Sequence, residues 1–142
     1  MRSHRVLPRR LALCTLLALC AGHAAADQIV RIGFASPLSG PQAHYGKDNE
    51  NASKMAIDDL NGKGLVIGGQ KISFQLVTED DQADPRIGTQ VAQRLVDADV
   101  KAVIGHFNSG VSIPASKIYS DAGIPQLSVS TAVPYTLSLI HI

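Results

Sequence analysis

Cysteine is scarce in this sequence, and both examples, Cys14 and Cys20, lie within the first 26 residues. The rest of the chain can therefore form no disulfide, hold no cysteine-based metal site and offer no thiol nucleophile. Neither sign of charge is in large excess, since the formal net charge is +1. This excludes a strongly basic nucleic-acid-binding protein. Charged residues amount to 18% against 45% hydrophobic residues, which excludes a disordered polar chain.

The first 26 residues have the features of a secretory signal peptide. Four arginines without an acidic residue precede the apolar stretch Leu11–Cys20, and Ala24–Ala26 supplies a small-residue cleavage site before Asp27. The apolar stretch is shorter than the roughly 20 residues that span a bilayer. The sequence predicts cleavage after Ala26 and a mature protein outside the cytoplasm, in a bacterial periplasm and not itself membrane-spanning. An N-terminal anchor helix is the alternative.

Segments typical of strands and helices alternate along the mature chain, which is long enough for one domain but not for two. Such alternation favours an α/β fold in which a parallel sheet carries helices on both faces. The predicted strands are 29–35, 71–78, 100–105 and 124–129, and the predicted helices are 45–61, 85–97 and 112–121.

Periodicity within the first two helices predicts which side chains face the core. In helix 85–97, Asp84 followed by Pro85 is typical of an N-cap. The predicted core residues are Ala52, Met55, Ala56 and Leu60 in the first helix, and Ile87, Val91, Leu95 and Val96 in the second. The charged residues expected to face solvent in the first helix are Lys47, Glu50, Lys54 and Asp58.

Ligands of open α/β sheets bind beyond the carboxyl ends of the strands. Four loops of this chain fall there, at Ser36–Tyr45, Thr78–Asp84, His106–Ser109 and Ser128–Thr131. The third of these leads into a predicted helix, whose N-terminal N–H groups and dipole favour an anion such as a carboxylate. The alternative is that its amide and hydroxyl side chains only cap that helix.

Two further loop features have both a functional and a structural interpretation. Tyr45 can cover the apolar part of a ligand or attach its helix to the core. Four acidic side chains between Glu79 and Asp84 could hold a cation, but they lack the spacing of a calcium loop. They are expected to be solvated acids plus a helix cap.

No catalytic residue, metal site or cofactor is predicted. His106 could act as a general base, but no G-x-S-x-G nucleophile motif accompanies it, and a structural, hydrogen-bonded histidine is expected. The sequence also contains no P-loop and no G-x-G-x-x-G after the first strand, so nothing supports a nucleotide cofactor.

Two long segments, IGFASPLSGPQAHYGKDNENASKMAIDDLNGKG and VKAVIGHFNSGVSIPASKIYSDAGIPQLS, resemble the leucine/isoleucine/valine-binding proteins of bacterial ABC importers. These are type I periplasmic binding proteins, and the resemblance covers nearly all of residues 29–134. It implies two α/β lobes that close on a ligand, with residues 27–136 forming an incomplete first lobe. Residues 137–142 do not resemble the family and suggest a truncated chain.

The resemblance also implies roles for particular residues. Ser109, beside Asn108, would bind the ligand's α-carboxylate through its hydroxyl and N–H, and Tyr45 would line the cleft next to the ligand's side chain. The carbonyl of Ser130 and the hydroxyl of Thr131 would contact the ammonium and carboxylate. In some family members a disulfide joins two of these loops. The positions of its two cysteines are occupied here by Ala83 and Asn108.

The function implied is that of a receptor without chemistry of its own. It would capture an amino acid, a branched-chain aliphatic one, and deliver it to ABC permease subunits in the inner membrane. A receptor of the same family for an amide, urea or an aromatic acid is one alternative. A secreted hydrolase or a purely structural exported domain are the others.

Overall fold

The computed structural model describes residues 27–128. Within this range an α/β architecture is observed, as predicted. The elements are β1 (Gln28–Ser36), α1 (Ala43–Gly62), β2 (Val66–Ile67), β3 (Gln70–Asp80), α2 (Pro85–Asp97), β4 (Ala102–Gly105), α3 (Ser109–Asp121) and β5 (Gln126–Leu127).

The sheet has the strand order β2-β3-β1-β4-β5, and every pairing is parallel except that of β2 with β3. The short strand β2 was not predicted. It forms a hairpin with β3 through Gly68 and Gly69, whose φ angles of +59° and +81° are accessible to glycine at little cost. All of the predicted strands are present, and β3 extends two residues further than expected, to Asp80.

The main core lies on the face of the sheet that α2 and α3 cover. It consists of Ala35, Val91, Ala92, Leu95, Val100, Val103, Ala115 and Tyr119. The two helices approach closely at Gly88, where an added Cβ would stand 2.2 Å from Cγ1 of Val111. The predicted core face of α2 is confirmed, with Ile87 and Val96 packed against this cluster.

Helix α1 lies on the opposite face, and its predicted orientation is wrong. Its buried residues are Gly46, Glu50, Ser53 and Ile57, whereas Met55 is 69% exposed. The reason is a close backbone approach at Gly46, where an added Cβ would stand 1.9 Å from the carbonyl oxygen of Pro37. This contact turns the face that carries Gly46, Glu50, Ser53 and Ile57 toward the sheet.

Glu50 is buried on α1 because two lysines accompany it. Its carboxylate lies 2.7 Å from Nζ of Lys54 and 3.7 Å from Nζ of Lys47. The hydrogen bond from Lys54 is the main cause that lowers the pKa of Glu50, against the opposing effect of burial. The pairing explains how a carboxylate that was expected to face solvent is accommodated against the sheet.

Between residues 27 and 128, no helix combines the length and apolar character needed to cross a membrane. The predicted signal peptide, the tail at 137–142 and the end of the fourth predicted strand lie outside the described residues.

Candidate functional site

The site predicted from the strand ends lies at the point where the strand order reverses. From β1 the chain passes through α1 to β3 on one side, and α2 returns it to β4 on the other side of β1. The paired register of β1 and β4 ends at Ala35 and Gly105. Beyond it the chain continues into the loops after β1 and β4, and the crevice at such a reversal of strand order is where open α/β sheets bind ligands.

Two contacts bridge this crevice. The Nδ2 amide of Asn108 donates to Oε1 of Gln42 at 2.8 Å. The rings of Tyr45 and Phe107 stack with their centroids 5.4 Å apart. These contacts hold the loop after β1 against the loop after β4, so that the start of α1 and the start of α3 lie side by side.

Tyr45 and Asn108 therefore both take part in contacts between these two loops, and their role in binding a ligand stays a prediction. Tyr45 is 51% exposed and packs on Phe107, and is not part of the main core. Asn108 precedes α3 but makes no side-chain cap hydrogen bond, so the alternative in which its side chain only caps the helix is wrong. The side chain crosses to Gln42 instead.

Ser109 is the first residue of α3, which follows the carboxyl end of β4 after the short loop His106–Asn108. The first N–H groups of a helix carry partial positive charge and favour a carboxylate. This places an anion-favouring helix terminus at the crevice. Ser130 and Thr131, the remaining predicted ligand contacts, lie outside the described residues.

His106 is fully buried and connects three elements. Its Nδ1 lies 2.7 Å from Oδ2 of Asp81, and its Nε2 lies 3.1 Å from the hydroxyl of Tyr119. Neither partner is exposed to solvent. The expectation of a structural, hydrogen-bonded histidine is confirmed, because both ring nitrogens are engaged away from the crevice.

The peptide carbonyl of His106 extends the same network. It accepts hydrogen bonds from Ser112 at 3.0 Å and from Ser128 at 2.7 Å. The loops after β3, β4 and β5 and the first turn of α3 are therefore tied to one residue. This arrangement fixes the backbone that presents Phe107, Asn108 and Ser109 to the crevice.

One acidic residue of the loop after β3, Asp81, is fully buried, contrary to the expectation of solvated acids, whereas Glu79, Asp80 and Asp84 are partly exposed. Asp81 is buried against His106, and Asp80 accepts from the backbone N–H groups of Leu38 and Gln82 at 2.8 and 2.9 Å. Burial opposes ionisation of Asp80, but these bonds and one from Ser39 together lower its pKa. Asp80 thereby attaches the loop after β1 to the end of β3.

The helix cap was predicted correctly: the carboxylate of Asp84 caps α2.

A cleft of about 290 Å³ opens between α1 and the sheet next to the crevice. Its walls are mainly apolar, and its most relevant lining residues are Phe34, Ser36, Ser53, Ile104, Phe107 and Leu127. The volume lies near the lower end of small-molecule sites. No group of three side chains able to share a metal ion occurs among residues 27–128.

The sequence profile of the periplasmic binding protein family matches residues 29–138. The chain belongs to this family. Leu/Ile/Val-binding protein homolog 2 of Brucella abortus is 41% identical to this periplasmic binding protein over 124 residues, which cover 87% of the chain and 32% of the relative. The family resemblance inferred from the motifs is confirmed.

Solved structures agree with this assignment. One is the branched-chain amino acid transporter substrate-binding protein LivJ of Streptococcus pneumoniae, in complex with isoleucine. It has a TM-score of 0.70 at 29% identity, and the match covers 78% of this chain and 32% of LivJ. A solute-binding protein of Rhodopseudomonas palustris, in complex with 3,4-dihydroxybenzoic acid, has a TM-score of 0.65 at 25% identity. The match covers 77% of this chain and 29% of that protein. This chain of the periplasmic binding protein family thus spans about a third of these relatives.

Several residues that build the site in this periplasmic binding protein were not predicted. Gln42 and Phe107 bridge the crevice, and Asp81 and Tyr119 hold His106. Asp81 and His106 follow β3 and β4, which are parallel strands on either side of β1 and end at the same edge of the sheet. Gln42 carried no signal in the sequence, because its partner Asn108 is 66 residues away.

Proposed function

We propose that the protein is the periplasmic receptor of an ABC importer and binds a branched-chain amino acid between two lobes. The observation that carries the proposal is the position of the α3 N-terminus at the crevice between β1 and β4. Support also comes from the 41% identity to a Leu/Ile/Val-binding protein homolog. The receptor would deliver its ligand to permease subunits in the inner membrane.

The α-carboxylate would lie at the N-terminus of α3, within reach of the N–H and hydroxyl of Ser109. Helix termini bind carboxylates because their first N–H groups have no partner within the helix. Ser130 and Thr131 would add contacts to the carboxylate and ammonium. The stacked rings of Tyr45 and Phe107 would lie beside the aliphatic side chain.

No bond is made or broken in this function, and the protein is proposed not to be an enzyme. Binding would shift an equilibrium between open and closed lobes, to the extent that the ligand binds the closed form more tightly. Discrimination between aliphatic side chains would depend on the size of the apolar pocket, at about 1–3 kcal/mol per methylene group.

An aromatic acid is the second candidate ligand. The Rhodopseudomonas palustris protein, whose structure contains 3,4-dihydroxybenzoic acid, carries a related lobe. Such a ligand shares the carboxylate that the α3 N-terminus favours, and the ring of Tyr45 offers a stacking surface.

The proposal is tested by isothermal titration of the full-length gene product with the standard amino acids, an amide, urea and aromatic acids. We expect binding of leucine, isoleucine or valine at micromolar or lower Kd. The double variant Ser109→Ala, Thr131→Ala should lose at least tenfold in affinity, because charge-assisted hydrogen bonds to the carboxylate are removed.

Ser116→Ala serves as the matched control, because it deletes a hydroxyl that bonds to the carbonyl of Ile113 on the outer part of α3. Its Kd should equal that of the wild type. Unchanged affinity in the double variant would refute the assignment of the site. Binding of only aromatic acids would favour the second candidate.

A further inference from the structure

The hydroxyl of Ser36 is buried without a hydrogen-bond partner. Ser36 is 1% exposed, and its Oγ is one of three such atoms found within residues 27–128, with Oδ1 of Asn108 and Oε1 of Gln126. Buried polar groups in native proteins are nearly always paired, because an unpaired one has lost its hydration without compensation. An unpaired hydroxyl at this location therefore calls for a partner that the described chain does not supply.

Ser36 stands where a ligand would meet it. It is the last residue of β1, beyond the final paired position of β1 with β4, and so lies at the reversal of strand order. It also lines the cleft between α1 and the sheet, on the same face of β1 as Phe34. Most of the surrounding cleft wall is apolar, so this hydroxyl is one of few polar groups available there.

Other hydroxyls that line the cleft are already engaged. Ser53 donates to the carbonyl of Asn49 at 2.8 Å, and Ser128 donates to the carbonyl of His106 at 2.7 Å. Helix α1 offers Ser36 no side chain at its nearest point, because Gly46 stands there and an added Cβ would be 3.2 Å from the Ser36 Oγ. The local packing therefore holds this hydroxyl in place without giving it a hydrogen-bond partner.

We propose that the Ser36 hydroxyl hydrogen-bonds the polar end of the bound amino acid, as a ligand contact additional to Ser109. The inference rests on the proposed function. A hydroxyl can accept from an ammonium group or donate to a carboxylate, so either end of a zwitterion suits it. Because Ser36 is already desolvated in the free protein, the bond to the ligand would not be offset by loss of water from the hydroxyl.

The test compares Ser36→Ala with the wild type in the full-length gene product, using L-leucine as the probe. Isothermal titration measures Kd, and differential scanning calorimetry without ligand measures Tm. We expect about tenfold weaker binding of leucine, as for the loss of a hydrogen bond to a charged group. The Tm without ligand should be unchanged or slightly higher, because no hydrogen bond within the protein is lost.

Ser36→Cys keeps the size of the side chain but donates and accepts hydrogen bonds weakly, and it should lower affinity in the same direction. Ser116→Ala is again the matched control, with unchanged Kd.

The possible failures are distinguishable. Leucine binding by the wild type with an unchanged Kd in Ser36→Ala would overturn this inference alone. A clear fall in Tm with an unchanged Kd would also overturn it, and would assign the hydroxyl to a contact within the protein. A wild type that binds no member of the ligand panel would refute the proposed function, and this contact with it.

Discussion

At the scale of single residues, the site is organised by groups that a ligand would not touch. His106 is held at both ring nitrogens and at its carbonyl, by four side chains that come from α3 and from the ends of β3 and β5. An ionised carboxylate can only accept a hydrogen bond, so a contact between Nδ1 of His106 and ionised Asp81 uses an Nδ1–H donor.

Breaking this buried network should be costly. Replacing Asp81 by leucine leaves the Nδ1–H of His106 buried and unpaired, and we expect a loss of about 3 kcal/mol in the free energy of unfolding, measured in urea. Tyr119→Phe removes only one hydroxyl and should cost about 1 kcal/mol.

Lys117→Ala is the control, because the ion pair of Lys117 with Asp121 is exposed and should contribute little. A stability loss from Asp81→Leu no larger than that of Lys117→Ala would contradict the structural role assigned to His106.

At the scale of elements, helices α1 and α2 differ in how well sequence pattern predicts them. In α2 the apolar periodicity and the Asp84–Pro85 start agree with the buried face and the observed cap. In α1 the residues predicted for the core are mostly exposed, because Gly46 permits a close approach to Pro37 and the charge of Glu50 is compensated by Lys54. The periodicity of apolar residues predicts neither the close approach at Gly46 nor the burial of a paired carboxylate.

The cap of α2 gives a prediction for the pH dependence of stability. The N–H groups of Ile87 and Arg86 donate to Asp84 and lower its pKa, so the folded state favours the ionised carboxylate. Its stabilising contribution is therefore complete at neutral pH and is lost as the pH falls below about 4 through the lowered pKa.

We expect Asp84→Ala to lower Tm by a few degrees at pH 7, and by less at acidic pH, in calorimetric scans. Asp84→Asn keeps an oxygen that accepts from the helix N–H groups but carries no charge, so its Tm at pH 7 should fall between those of Asp84→Ala and the wild type. A Tm difference between Asp84→Ala and the wild type that is the same at both pH values would show that the carboxylate charge contributes nothing.

At the scale of the whole molecule, the described residues form one α/β unit, and under the proposed function this unit would be one of two lobes around the ligand. They form a sheet with helices on both faces, and the crevice lies at its carboxyl edge. The relatives are about three times longer than this chain. A second lobe and its closing motion are therefore part of the proposed function and not of the described structure.

The N-terminal segment allows a direct test of location. We expect the exported protein, isolated from the periplasm and measured by intact mass spectrometry, to begin at Asp27. The basic and apolar regions before Ala24–Ala26 are those that a signal peptidase recognises. Replacing Ala26 by a bulky residue such as leucine should slow cleavage and leave precursor in the membrane fraction. A mature mass that retains residues 1–26 would favour the anchor-helix alternative.

The sequence by itself determined the alternation of strands and helices, the cap at Asp84 and the loops in which the candidate site residues lie. These features depend on neighbours within a few positions, where backbone propensity and periodicity act. Tertiary structure alone decided which face of α1 is buried, that His106 joins Asp81, and that Asn108 meets Gln42. The contacts of His106 and Asn108 join residues 25 and 66 positions apart, and the buried face of α1 depends on how closely the helix approaches Pro37, so periodicity along the chain does not predict them.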